Sequence, residues 1–233
     1  MKVAISLGGS LLTGKSKDPY VKLDPHRFTK YAEVIKALHR DGHQLMVVCG
    51  GGKPARYFID IAKTMNASTE ALDYLGIKSS HINALIFMAA LGDTAQQPTV
   101  YETPGEPFDN REPGKVWIGG GHKPGTSTDY RTVQFAEAMD ADLVINATDI
   151  DGVYTKNPKT NPDAEKLHEL TFETLEKIIV ENTNQAPGEY GLFDLAAVKL
   201  SKKTRIPVAI IDGTDPQEIA RAVHGKHTGS TIR

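Results

Sequence analysis

One cysteine, one tryptophan, almost no net charge and no long apolar run mark this sequence of 233 residues. Each shortage closes off a class. A lone Cys49 excludes an internal disulfide and suits a reducing compartment. A formal net charge of -2 gives no overall attraction to nucleic acid or to an anionic membrane. The longest apolar stretch, 84–91, is far short of the roughly 20 residues that a membrane helix needs. Met1-Lys2 leads straight into a strand pattern, without the apolar core and cleavage site of a secretory signal. No repeat and no linker interrupts the chain. These features read as a cytoplasmic protein, one domain over 1–233, with neither nucleic acid nor membrane as partner. Its 39% hydrophobic content is enough for a sizeable core.

Glycine is what the sequence has, and it stands at strand ends. The apolar run Leu45-Met46-Val47-Val48-Cys49 enters Gly50-Gly51-Gly52, followed by Lys53, Pro54 and Arg56. An apolar run bounded by glycine suits a strand buried on both faces. Pro54 suits a first helical turn, where its missing N–H costs nothing. Strand, glycine turn and helix N-terminus together make an anion site, because unpaired N–H groups and the helix dipole both favour negative charge. The same grammar recurs where Lys2 to Leu7 meets Gly8-Gly9-Ser10, and where Lys115 to Ile118 meets Gly119-Gly120-Gly121. Three parallel strands would line these ends along one sheet edge, where open α/β sheets bind ligands. We expect them to hold phosphates jointly.

Two shorter matches mislead. Gly9 to Ser16 fits the P-loop pattern, but Pro19 follows too soon for a helix, and Leu11 and Leu12 fill the part that should wrap phosphate. Gly50 to Ala55, with Glu70 and Asp73 about 20 residues on, fits a dinucleotide fingerprint. That reading leaves the other two glycine clusters unexplained.

Helical spacing predicts helices from Pro25, from Pro54, and from Ser68 to Leu91 with a break near Gly76. His81 reads as a packed or capping histidine. Residues 102–114 form an excursion loop. Thr126, Ser127 and Thr128 open the next helix, and three hydroxyls exceed what one N-cap needs. They point to a second oxyanion site. His122 shapes the turn before them, and Asp129 is either a cap or a functional carboxylate. A strand over Asp142 to Ile145 exits into the polar run Asn146 to Asn157. Tyr154 there either stacks on a base or joins the core. Residues 227–232 read as a terminal edge strand.

Five groups then occur in order: Gly8-Gly9-Ser10; Gly50-Gly51-Gly52 with Arg56; Pro124-Gly125 with Thr128-Asp129; Thr148 with Asp151-Gly152-Val153-Tyr154; and Asp194 with Lys199. In this the chain resembles the amino-acid kinase superfamily, and within it the archaeal-type uridylate kinases. The resemblance implies a three-layer αβα sandwich around a mostly parallel sheet. It implies transfer of a phosphoryl group from ATP to UMP, with Mg²⁺ held mainly through the phosphates, in a homohexamer. The acceptor part would be about 1–140 and the ATP part about 141–233. Gly51, Asp73 and the segment Gly121, His122, Pro124, Gly125, Thr126, Ser127 and Thr128 would bind UMP. Gly8, Gly9, Ser10, Gly52, Thr148, Asp149, Tyr154 and Asn157 would hold ATP, with Arg56 reaching both. Arg56, Asp129, Asp194 and Lys199 would serve the reacting phosphates, and no protein metal cage is expected. One departure stands out: many superfamily members carry lysine where this chain has Ser6. An isopentenyl phosphate kinase or other small-molecule kinase of the same fold, or a non-catalytic nucleotide- or oxyanion-binding protein, is the alternative.

Overall fold

A computed structural model describes residues 1–15, 23–96, 100–103, 105, 114–158, 160–182 and 193–233. Its strands are β1 (Lys2–Leu7), β2 (Gln44–Cys49), β3 (Trp117–Gly119), β4 (Leu143–Thr148), β5 (Val153–Tyr154), β6 (Lys166–Leu167), β7 (Glu169–Leu170), β8 (Val208–Asp212) and β9 (Ser230–Ile232). Seven of them form one sheet in the order β3-β2-β1-β4-β8-β9-β7, while β5 and β6 make a small antiparallel ribbon. β3, β2, β1, β4 and β8 run parallel, and β9 lies antiparallel to β8.

The strands are apolar without alternation because both faces are covered. Val3, Ile5 and Leu7 face one helical layer, and Ala4 faces the other. The first layer includes α1 (Gly9–Thr13), α2 (Pro25–Arg40), α4 (Thr69–Leu91) and α8 (Gln217–Val223), with α3 (Gly52–Thr64) against α4. The second layer has α5 (Thr128–Ala138), α6 (Phe172–Asn182) and α7 (Leu195–Thr204). The result is the expected αβα sandwich around a mostly parallel sheet.

Several local expectations change. α4 runs unbroken through Gly76, because its neighbours in α3 leave room there and tertiary packing outweighs the propensity cost. β9 is no edge strand: it inserts between β8 and β7, and β7 takes the edge. Gly9 to Thr13 is a single helical turn with Leu11 and Leu12 buried, which is incompatible with a phosphate-wrapping P-loop. α4 with the turn after it is long and apolar enough, by length and composition alone, to cross a membrane. Its Ala84, Phe87, Met88 and Leu91 are nevertheless packed into the sheet layer, so it is a core helix. Most of the 102–114 loop lies outside the described residues.

Candidate functional site

The glycine turns meet, and they meet through backbone. A Cβ at Gly50 would stand 2.6 Å from the Gly9 nitrogen, and one at Gly9 would stand 2.6 Å from the Gly52 Cα. Only glycine permits that approach. Gly52 also adopts φ +59, which starts α3 two residues before Pro54. Thr13 fastens the junction: its Oγ1 donates to Gly9 O at 2.7 Å and accepts from Lys53 N at 2.8 Å. The Gly8 N–H donates to Ala147 O at 3.0 Å, which binds the β1 turn to the end of β4. Ser10 lies in α1, and its carbonyl accepts from Gly14 N at 2.8 Å.

α4 organises the turns after β2 and β3. Asn83, fully buried, donates through its amide to Gly50 O at 2.8 Å and Gly51 O at 3.0 Å. Ser80 Oγ accepts from Gly121 N at 2.8 Å, and the His81 ring bonds Gly121 O at 2.7 Å. His81 is thus half-buried and bound to a backbone carbonyl of the β3 turn. The contributions of Ser80 and Asn83 were not read from the sequence. The available signal was polar residues on the buried face of an apolar helix.

Between these turns opens a cleft of about 370 Å³. Gly51, Gly52, Arg56, Asp73, Gly121, Thr126, Ser127 and Thr128 line it. The exposed Arg56, in the second turn of α3, donates to Gly14 O at 3.2 Å. Asp73 accepts from the Gly125 N–H at 2.8 Å, so one of its oxygens is already used to hold the β3 turn. His122 is exposed and Pro124 half-buried on that turn, outside the cleft wall.

Two carboxylates converge beside the cleft. Ser127 is the N-cap of α5, accepting from Tyr130 N at 3.0 Å, and its hydroxyl donates to Asp194. Asp194 in turn is the N-cap of α7, accepting from Ala197 N at 3.0 Å. Asp129, in the first turn of α5, accepts from the Ser6 hydroxyl at 2.7 Å. Burial lifts the Asp129 carboxyl to about 6, the Asp194 charge adds to this, and the Ser6 hydrogen bond opposes it. Ser127 is therefore both a cap and a link between helices. Asp129 is not the α5 cap. Lys199 is exposed on α7, one turn beyond Asp194.

The residues expected on the ATP side occupy the polar turns after β4. Thr148 O accepts from Gly213 N at 2.7 Å, which joins the β4 and β8 turns. Asp149 pairs with Lys15 at 2.8 Å. The Tyr154 hydroxyl donates to Asp151 at 3.0 Å, and Lys166 pairs with the same carboxylate at 3.1 Å. Tyr154 is half-buried on β5, so it is not core. Asn157 is buried, and its carbonyl accepts from the Asn161 amide at 2.9 Å.

Comparison with known proteins matches the fold that carries these residues. The chain is similar to the uridylate kinase of Methanococcoides burtonii, 36% identical across 96% of this chain and 91% of the relative. It is similar to that of Methanothermobacter thermautotrophicus, 35% identical over 100% of this chain and 99% of the relative. Among solved structures it resembles the uridylate kinase of Archaeoglobus fulgidus, with a TM-score of 0.86, 33% identity and full coverage of both chains. The UMP kinase of Bacillus anthracis, at 23% identity and a TM-score of 0.78, shares the fold. The model of the amino acid kinase family matches residues 1–212. On that match and these full-length relatives, the chain belongs to the amino acid kinase family.

Proposed function

We propose that this protein transfers the γ-phosphoryl group of ATP to UMP, giving ADP and UDP. The observation that carries the reading is the contact of the β1 and β2 glycine turns, which sets a cleft lined by Arg56 and by the hydroxyl residues Ser80, Thr126, Ser127 and Thr128 beside the turn of β4. Phosphoryl transfer asks a protein mainly to align two phosphates and to stabilise charge on the group between them. UMP would occupy the cleft, its phosphate gripped by Arg56 and by the N-terminus of α5. ATP would lie over Gly8 to Ser10 and the turns carrying Thr148, Asp149, Tyr154 and Asn157. The acceptor oxygen belongs to a phosphate and is already nucleophilic, so no strong base is required.

Asp129 and Asp194 would stand at the seam, with Lys199 beyond. Among the described residues no group of three or more His, Cys, Asp or Glu gathers to hold a metal. Mg²⁺ would ride on phosphate oxygens, and when bound it neutralises charge between the two nucleotides. On this reading, 1–140 carry the acceptor and 141–233 the donor, in one domain. The buried, unpaired Cys49 is in keeping with a cytoplasmic setting.

We also propose that copies associate, up to the hexamer. Tyr57, Phe58 and Ile61 of α3, Met65 just after it, and Ile82, Leu85 and Ile86 of α4 leave large apolar side chains exposed. The activity is tested by ADP release over a panel of nucleoside monophosphates. Turnover with UMP is expected. Turnover with isopentenyl phosphate or a small acid, and none with UMP, overturns the assignment.

A further inference from the structure

Ser6 is the one polar residue in the buried run Val3 to Leu7 of a central strand. A buried hydroxyl needs a partner. A backbone carbonyl would satisfy that need, yet the Ser6 hydroxyl donates 2.7 Å away to the carboxylate of Asp129, 123 residues on. Asp129 follows Thr128, which lines the cleft. The arrangement has a counterpart one turn away, where Ser127 donates to Asp194. Each carboxylate at the seam is thus held by a serine from another element: Asp129 on α5 from β1, and Asp194 before α7 from the start of α5. A hydroxyl fixes the orientation of a carboxylate without cancelling its charge, which a cation in the same place would do.

We propose that Ser6 is a positioning residue for phosphoryl transfer, holding the Asp129 carboxylate in its reactive orientation at the seam between the two nucleotide sites. This rests on the reading of Asp129 as a site residue. The strand end is rigid, because Ser6 is in register with Val48 on β2 and Asn146 on β4, both buried. Its hydroxyl is therefore pre-placed, and Asp129 gains its orientation from the sheet rather than from its own helix alone. Without the hydroxyl, the Asp129 carboxylate loses the hydrogen bond that orients it. The loss falls on the chemical step, since Ser6 lines no part of the acceptor cleft.

The test compares Ser6→Ala, Ser6→Thr, Asp129→Ala and the double variant Ser6→Ala/Asp129→Ala in steady-state assays with UMP, ATP and Mg²⁺. Ser6→Ala should lower kcat on the order of tenfold, as misplaced catalytic groups do, with the KM for UMP held within about twofold. Ser6→Thr, which keeps the hydroxyl, should recover most of that rate. The double variant should be no slower than Asp129→Ala, because Ser6 acts only through that carboxylate. Ser6→Cys keeps the shape and offers only a weak donor, and it serves the same comparison should the alanine variant not fold. An unchanged kcat in Ser6→Ala, or additive losses in the double variant, overturns the proposal. A wild-type kcat in Asp129→Ala instead overturns the site reading itself, which separates the two failures.

Discussion

At the scale of single residues, two side chains carry opposite costs. Arg56 is exposed and lightly held, by one bond to Gly14 O. It is free to close on a phosphate, where a guanidinium makes paired charge-assisted bonds. Arg56→Ala should raise the KM for UMP and slow turnover, together on the order of 2 kcal/mol, and leave stability nearly unchanged. Equal kinetics in the variant would show that Arg56 points elsewhere. Asp129 is the reverse case, costly to the fold. Its carboxyl is raised to about 6 by burial, from an ordinary value near 3.8. The native state therefore keeps a proton that the unfolded chain has already lost between about pH 4 and 6. Stability is full below pH 4 and falls as pH rises through 6. Asp129→Asn removes that penalty, so it should stabilise the protein at pH 7.5 on the order of 1–2 kcal/mol, allowing for water in the open cleft, and hardly at pH 4. Thermal melts at the two pH values read this directly. An equal shift at both would locate the effect in packing rather than charge.

At the scale of elements, α4 matters more than its apolar sequence suggests. It packs Ala84, Phe87 and Met88 into the core and turns Ser80, His81 and Asn83 toward the glycine turns. Asn83→Ala strips the amide from the buried Gly50 O and the half-buried Gly51 O. The expected loss is about 2–3 kcal/mol in urea unfolding, with a higher KM for UMP because Gly51 lines the cleft. A destabilised variant with an unaltered KM would mean that α4 supports the turn without shaping the acceptor site. Helices α5 and α7 are coupled differently, end to end, through Ser127 and Asp194. Their N-termini approach the seam together, so a shift of α5 re-aims the Asp194 carboxylate through Ser127.

At the scale of the whole molecule, the sheet edge collects the site and the α3–α4 face carries the apolar surplus. Leu85 and Ile82 are each 48% exposed on α4, next to the exposed Ile86. Leu85→Lys should shift sedimentation toward smaller species while circular dichroism stays the same. An unaltered sedimentation profile would overturn the proposal that this face joins copies of the chain.

Much of this was legible in the chain, and for a local reason. A strand covered on both faces must be apolar without alternation, and a turn that admits backbone against backbone must be glycine. Runs such as Leu45 to Gly52 and Val3 to Gly9 state both conditions in consecutive residues. The N-cap serine at 127 follows from the same kind of short-range chemistry. The sequence by itself thus determined the layered sheet and the glycine rim. It could not say that Ser6 meets Asp129, that Ser127 reaches Asp194, that Asp73 spends an oxygen on Gly125, or that β9 slips between β8 and β7. Those pairings join residues that only the strand order brings together. Periodicity records which face of a strand is buried, but not which distant strand lies beside it, so the tertiary structure alone decided them.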